Sequence, residues 1–293
     1  DRDIQGTATT PAILTVSESD PYDYGLQAVT SSTNYTFTIT NTGGIQALAM
    51  SGTGLAAPFE FTGGGGYPGA GGDCGLTLNP LDTCTVEISY TPPTALLHTD
   101  TFDMNYNNGA TAQTASRIIQ GTGTTVAVLD ITTTDPYDFG DVPTGGSSDF
   151  TFTVTNNGPL TASSIVGGGL SAPWTYAGGS YPGAGGNCGP TIAAAASCTI
   201  VVRFSPLLTG ASNDTIDLSY YNGAAGANST RDVIGNGVAP ALLTITNSPT
   251  YDFMQRAQGS TTLATLTIEN TGGFEAVSIA GSGLAAQFDF QDG

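Results

Sequence analysis

Apolar and polar residues alternate along most of this chain. Tyr35, Phe37 and Ile39 alternate with Thr36, Thr38 and Thr40, and Phe150, Phe152 and Val154 with Thr151, Thr153 and Thr155. Cys84, Val86, Ile88 and Tyr90 alternate with Thr85, Glu87 and Ser89. Phe102, Met104 and Tyr106 alternate with Asp103 and Asn105, and Ile216, Leu218 and Tyr220 occupy matching places further on. A period of two puts the apolar side chains of a strand on one face, as in a strand half-buried on a core. Threonine suits the opposite face, being β-branched and polar. Helical periodicity is absent. Between residues 126 and 239 the pattern predicts strands near 126–132, 136–140, 148–156, 160–166, 173–177, 197–205 and 214–221, with a short eighth near 230–235. Gly, Asn and Pro turn signals separate them. Two antiparallel sheets packed face to face, ~10 Å apart, bury such stripes most simply.

The pattern repeats. Tyr22-Asp23-Tyr24-Gly25 recurs as Tyr137-Asp138-Phe139-Gly140 and as Tyr251-Asp252-Phe253. Asn41-Thr42-Gly43-Gly44 recurs as Asn156-Asn157-Gly158-Pro159 and Asn270-Thr271-Gly272-Gly273. Tyr67-Pro68-Gly69-Ala70-Gly71-Gly72 recurs as Tyr181-Pro182-Gly183-Ala184-Gly185-Gly186, and Cys74 and Cys84 recur as Cys188 and Cys198. The period is about 115 residues, the size of one domain. Arg2-Asp3-Ile4-Gln5-Gly6 matches Arg117-Ile118-Ile119-Gln120-Gly121 and Arg231-Asp232-Val233-Ile234-Gly235. The expected organisation is therefore the last strand of a preceding repeat (1–10), repeat one (11–124), repeat two (125–239) and the first half of repeat three (240–293). Short junctions at 121–125 and 237–241 predict an end-to-end arrangement.

Tyr-Asp-Phe-Gly-Asp-Val-Pro-Thr-Gly (137–145), Phe-Thr-Val-Thr-Asn-Asn-Gly (152–158), the Cys188–Pro206 segment and the closing Gly-Asn-Gly (235–237) together resemble the Hydin-like immunoglobulin repeat. In bacteria this repeat is met in the choice-of-anchor D surface proteins. The resemblance covers nearly the whole chain. It implies an all-β fold of tandem immunoglobulin-like β-sandwiches and an extracellular or cell-envelope setting. It implies no enzyme activity, since the family has no catalytic residues to carry over. The long Gly-rich Tyr-Pro loop ahead of the first cysteine departs from the short family version.

Composition narrows the function. Five arginines, no lysine and 24 acids give a net charge of −19. Such a chain cannot bind nucleic acid by neutralising phosphates, and an anionic membrane repels it. Without lysine there is no Schiff-base chemistry and no phosphate-loop lysine. One histidine, His98, cannot build a His-rich metal site. No run of about 18 apolar residues exists, so no membrane insertion is expected. The chain begins at Asp1, as expected of a processed or excised piece.

Each C-x9-C pair predicts a disulfide, Cys74 with Cys84 and Cys188 with Cys198. Cys84 and Cys198 share the inward parity of Val86 and Ile200, while Cys74 and Cys188 lie in the Gly loop. The pairs point to an oxidising compartment. Zinc is the rival reading, but it lacks histidines and would draw its cysteines from two domains. The Gly-rich stretch 63–72 is expected to be a flexible surface loop, with Tyr67 and Tyr181 the contacts if a partner binds. Asp20, Asp23, Asp135, Asp138 and Asp141 gather at repeat junctions, where carboxylates can hold calcium. Their spacing matches no calcium-loop motif, so the expectation is turn acids and no cofactor. Trp174 has Phe59 and Phe288 at equivalent places and reads as core.

The expected role is structural: a stalk, fibre or filament segment of an extracellular bacterial surface protein, contacting neighbouring repeats or copies of itself. The alternative is an adhesin module binding a host carbohydrate or protein through exposed loops. Residues 240–293 lack the strands that would close a sandwich. Two explanations are expected: a window on a longer repeat array, or completion by strands of a neighbouring chain.

Overall fold

A computed structural model of the chain describes residues 1–247 and 249–291. Among these, regular structure is strand apart from two short 3-10 turns. The first eight strands are β1 (Leu14–Val16), β2 (Tyr22–Ala28), β3 (Thr33–Asn41), β4 (Leu48–Thr53), β5 (Phe59–Phe61), β6 (Thr83–Tyr90), β7 (Leu97–Asn107) and β8 (Ala112–Thr124). They form two four-stranded sheets, ordered β1-β3-β6-β5 and β2-β8-β7-β4. One core joins both sheets: Phe37, Ile39, Val86 and Ile88 from the first meet Phe102, Met104 and Ile119 from the second. That arrangement is a β-sandwich.

A second sandwich follows with the same layout. Its strands are β9 (Leu129–Thr132), β10 (Tyr137–Pro143), β11 (Ser148–Asn156), β12 (Ser163–Gly168), β13 (Trp174–Tyr176), β14 (Ser197–Phe204), β15 (Gly210–Tyr221) and β16 (Gly226–Val238). The sheets are β9-β11-β14-β13 and β10-β16-β15-β12. Trp174 is buried in this core, stacked on Phe204 at 4.3 Å, as the repeat pattern predicts.

Two expectations change. The sheets are not wholly antiparallel, because β2 runs parallel to β8 and β10 parallel to β16. The link at residues 17–21 carries the chain from one sheet to the other, and β2 enters beside the final strand running the same way. The last strand is also long rather than short, reaching from Gly226 to Val238. Its inward positions hide from an apolar count because two are glycines. A Cβ on Gly235 would lie 2.8 Å from Cε1 of Phe204, and one on Gly121 would lie 2.5 Å from Cε1 of Tyr90. The aromatic ring fills the space that a side chain would take.

The recurring Tyr-Asp-aromatic-Gly motif sits on β2 and β10. Tyr22 stacks on Tyr35 at 4.1 Å, and Tyr137 on Phe150 at 3.9 Å. The Asp23 carboxylate accepts the Gly25 N–H at 2.7 Å, and Asp138 accepts Gly140 at 2.8 Å. Both glycines have positive φ, 75° and 69°, where the register of the parallel pair shifts. Glycine is the residue that adopts this conformation without strain.

At the end of β3 and β11 stands a fully buried asparagine. Asn41 Oδ1 accepts the N–H groups of Ile13 and Gly43, and its Nδ2 donates to the carbonyls of Ile45 and Leu78. Asn156 Oδ1 accepts Val128 and Gly158, and its Nδ2 donates to Leu160 and Ile192. One side chain thus satisfies backbone groups of the first strand, the following turn and the loop ahead of the second cysteine.

The ends of the chain differ from the sandwiches. Residues 1–10 are exposed and form no strand, although their pattern matches β8. Among the described residues no strand pairs with them, although the Thr10 carbonyl accepts the Gly44 N–H at 3.2 Å. Beyond residue 240, β17 (Leu243–Ile245) and β18 (Ile268–Asn270) are the strands that pair among the described residues, antiparallel.

Replacing Asn156 by Ala leaves several buried backbone groups without a partner, at about 1–3 kcal/mol each. Trp174, the single tryptophan, lies in the second core and reports that sandwich. Its urea midpoint should fall by the equivalent of at least about 2 kcal/mol. Asn41→Ala should leave the Trp174 transition where it was.

Candidate functional site: the cysteine-clasped loop

The glycine-rich loop of each sandwich follows the short β5 or β13. It begins with a 3-10 turn at Thr62–Gly64 or Ala177–Gly179. The loop lies at the surface, with residues 63–66 exposed, and part of it is also held to the sheet. After β5 leaves off, the loop continues along the free edge of β6. Glu87 N–H donates to the Pro68 carbonyl at 2.9 Å, and Cys74 N–H donates to the Thr85 carbonyl at 3.1 Å. The second loop repeats these contacts on β14: Val201 donates to Pro182 at 2.8 Å, and Cys188 to Thr199 at 3.1 Å. The loop is pinned because it supplies partners to edge groups that would otherwise face water unpaired.

Asp73 and Asn187 reinforce this seam. Thr85 donates both its N–H and its hydroxyl to one Asp73 oxygen, at 2.6 and 2.8 Å. These bonds hold the Asp73 carboxyl below its ordinary pKa. Thr199 donates the same pair of bonds to Asn187, at 2.7 and 3.0 Å. The neutral amide shows that the position needs an acceptor, not a charge.

The cysteines stand at disulfide distance in both predicted pairs, Cys74 with Cys84 and Cys188 with Cys198. Each pair ties the loop to the first residues of β6 or β14. The pairs fit an oxidising environment. Between the two cysteines the chain also touches the other sheet, through bridges from Leu78 to Ala47 and from Ile192 to Ala162.

Tyr67 and Tyr181, the nominated partner contacts, are half-buried. Neither ring stands free of its loop. Tyr67 donates its hydroxyl to the Gly75 carbonyl at 3.1 Å and meets Phe61 edge-on. A Cβ on Gly52 would lie 2.6 Å from the Tyr67 ring, so that glycine is the seat of the tyrosine. Burial pushes the Tyr67 hydroxyl up to about 12. Tyr181 packs edge-on against Tyr176, at 5.6 Å between centroids, and burial raises its pKa as well. Among the described residues neither the Tyr176 nor the Tyr181 hydroxyl has a hydrogen-bond partner.

The junction acids are placed apart and each has a protein donor. Asp20 accepts the Ile118 N–H, and Asp135 accepts the Asp232 N–H. Asp23 also accepts the Gln120 side chain, and Asp141 accepts Asn236. Among the described residues no three His, Cys, Asp or Glu side chains come together as a metal site. His98 contacts the Tyr90 and Thr94 hydroxyls, at 2.9 and 3.2 Å.

Two arginines carry a role that the residue-by-residue reading missed. Arg117 and Arg231 are almost covered, and each donates across the sandwich to a carbonyl of the first strand, Val16 or Ile131. Arg231 also stands 3.5 Å from Asp130 and 3.4 Å from Asp135. Each clamp joins the first and last strands of its sandwich. The signal was present in the sequence: cations are rare here, and these two keep register with each other.

No family model matches the chain, and no curated protein matches it. Among solved structures it is similar to a three-domain immunoglobulin fragment of titin carrying an E-to-A change. That match has 12% identity, covers 93% of this chain and 92% of the other, and has a TM-score of 0.33. The PapD-like domain 7 of human CEP192 matches at 11% identity, with 43% and 93% coverage and a TM-score of 0.28. The Vibrio cholerae VesB protease matches at 16% identity, covering 38% of this chain and 32% of its own length, with a TM-score of 0.31. The chain thus spans about a third of the protease. At these scores the likenesses carry no argument; the sandwiches rest on their strand pairing and cores.

Two outcomes follow from the clasp and its tyrosine. Cys198→Ser should lower the stability of the second sandwich by roughly 2.5–3 kcal/mol, read by Trp174 emission in urea. The folded wild type should show no reactive thiol. Gly52→Val should displace the Tyr67 ring, and its phenol titration should fall from about 12 toward the ordinary value near 10. In the wild type, the neutral phenol favours the packed loop fully below about 10. That contribution should fade as pH rises through about 12.

Proposed function

We propose that the chain is a segment of tandem immunoglobulin-like repeats, about 115 residues each, from an extracellular bacterial surface protein. Its role is structural: a spacer within a stalk, fibre or filament. The repeats are 11–124 and 125–239, with residues 1–10 matching in sequence the last strand of a repeat and 240–293 the first half of one. It performs no catalysis.

The supporting observation is the parallel pairing of β2 with β8 and of β10 with β16. Tension on a stalk enters a sandwich near its first strands and leaves through its last. Two parallel strands pulled from opposite ends are sheared along their length. Their hydrogen bonds share the load instead of opening one by one. The Arg117 and Arg231 clamps tie the same last strands to the first strands, β1 and β9. An adhesin role would draw on Tyr67 and Tyr181, and those rings are already engaged within their own loops.

Single-molecule pulling between the chain ends tests this reading. Each sandwich should give one force peak and release roughly 30–35 nm of chain, since residues behind the disulfide stay locked. Reductant should add about 3 nm per sandwich. Gradual extension without peaks would overturn the mechanical role.

A further inference from the structure

Tyr22 on β2 and Tyr35 on β3 stack face to face, with ring centroids 4.1 Å apart and planes 29° from parallel. β2 belongs to one sheet of the first sandwich and β3 to the other, so the pair bridges the two sheets. Both side chains are half-buried and pack against the first core. The second sandwich keeps the stack but not the second phenol: Tyr137 lies on Phe150 at 3.9 Å and 25°. Core packing therefore asks only for two rings, and the Tyr35 hydroxyl is surplus to it.

The other close tyrosine pairs are built differently. Tyr22 and Tyr24 meet edge-on at 81°, and the Tyr24 hydroxyl is tied to the Ile88 carbonyl at 3.0 Å. Tyr24 and Tyr90 are 5.5 Å apart, but Tyr90 is fully buried. Tyr176 and Tyr181 meet edge-on at 88°, and among the described residues their hydroxyls have no partner to take a proton. Tyr35 has one. Its hydrogen bond to the Glu18 carboxylate pushes the phenol up to about 12. A phenol that has lost an electron becomes a strong acid, so a carboxylate already in place takes the proton as the electron leaves.

We propose that Tyr22 and Tyr35 form a site of oxidative cross-linking, joined into a dityrosine through the ring carbons beside their hydroxyls. The oxidant is a peroxidase acting with hydrogen peroxide. Each phenol gives one electron to the oxidant and its hydroxyl proton to a base, Glu18 for Tyr35 and water for Tyr22. The two phenoxyl radicals couple in one new C–C bond. Each joined carbon then loses its hydrogen as a proton while each oxygen regains one, so the pair loses two hydrogens in all. Hydrogen peroxide takes up the two electrons and two protons and leaves as two waters. The bond ties β2 to β3, a covalent link between the sheets that the cysteine clasp does not provide. This inference stands apart from the spacer reading.

The test treats the full chain with a peroxidase and hydrogen peroxide, then cuts it after acidic residues. Cleavage after Asp23 parts Tyr22 from Tyr35. Folded protein should instead yield the two peptides joined, lighter than their sum by two hydrogens. The joined species should be at least about tenfold more abundant than in protein oxidised in urea, because the stack holds the rings together. Its amount per chain should not change with protein concentration. Tyr35→Phe copies the Phe150 arrangement, so it should keep the fold and lose the product. Phe150→Tyr should create a second product at Tyr137. A joined peptide that survives in Tyr35→Phe, or whose yield per chain rises with concentration, would overturn the proposal. So would a product confined to other tyrosine pairs, or folded protein that gives no more than unfolded. None of these results bears on the pulling experiment.

Discussion

Each sandwich depends on a polar side chain in an apolar place. Asn41 and Asn156 are fully buried, and each makes hydrogen bonds to four or more backbone groups. Burying an amide is costly unless every donor and acceptor is met. Here they are met only in one arrangement: first strand, following turn and cysteine loop all at their native positions. Apolar packing would tolerate small slides of these segments. The asparagine does not, because a slide would strand its hydrogen bonds. It specifies the register on which the core packing and the clasp are built.

The cysteine loop solves a second problem. A strand as short as β5 leaves most of the β6 edge open, and open edges invite pairing with other chains. The loop runs along that edge and meets its backbone groups, while the cysteine pair holds it down. The glycines are not there for looseness. They let the loop backbone approach the strand closely, and Gly52 on β4 leaves room for the Phe61 and Tyr67 rings. The same exchange of side chain for ring recurs at Gly121 and Gly235.

Charge plays a narrow part. With so few cations, each sandwich uses a single nearly covered arginine to tie its last strand to its first. The strand carbonyl accepts from one end of each guanidinium and junction acids stand near its charge, while among the described residues the Nε of each arginine is buried without a hydrogen-bond partner. Of the junction acids, Asp20 and Asp135 stand at this clamp, Asp23 and Asp138 close local turns, and Asp141 accepts the Asn236 side chain. The remaining acids lie outside, where a net negative surface opposes casual association between neighbours.

The sequence by itself determined the strands with a clean alternation, such as β3, β6 and β14. It also set the pairing of cysteines and the placement of Trp174 in a core, because these depend on local spacing and on repetition. What only the tertiary structure decided depends on contacts far apart in the chain. The parallel seating of β2 and β10 beside the last strand has no local signature, since strand direction in a sheet is set by connection and not by composition. The full length of β16 was hidden because inward glycines make room for Phe204. The loop tyrosines turned inward because a glycine on another strand left space for them, and the acids found partners about a hundred residues away. Alternation records which face of a strand is buried; only the assembled sheets record what buries it.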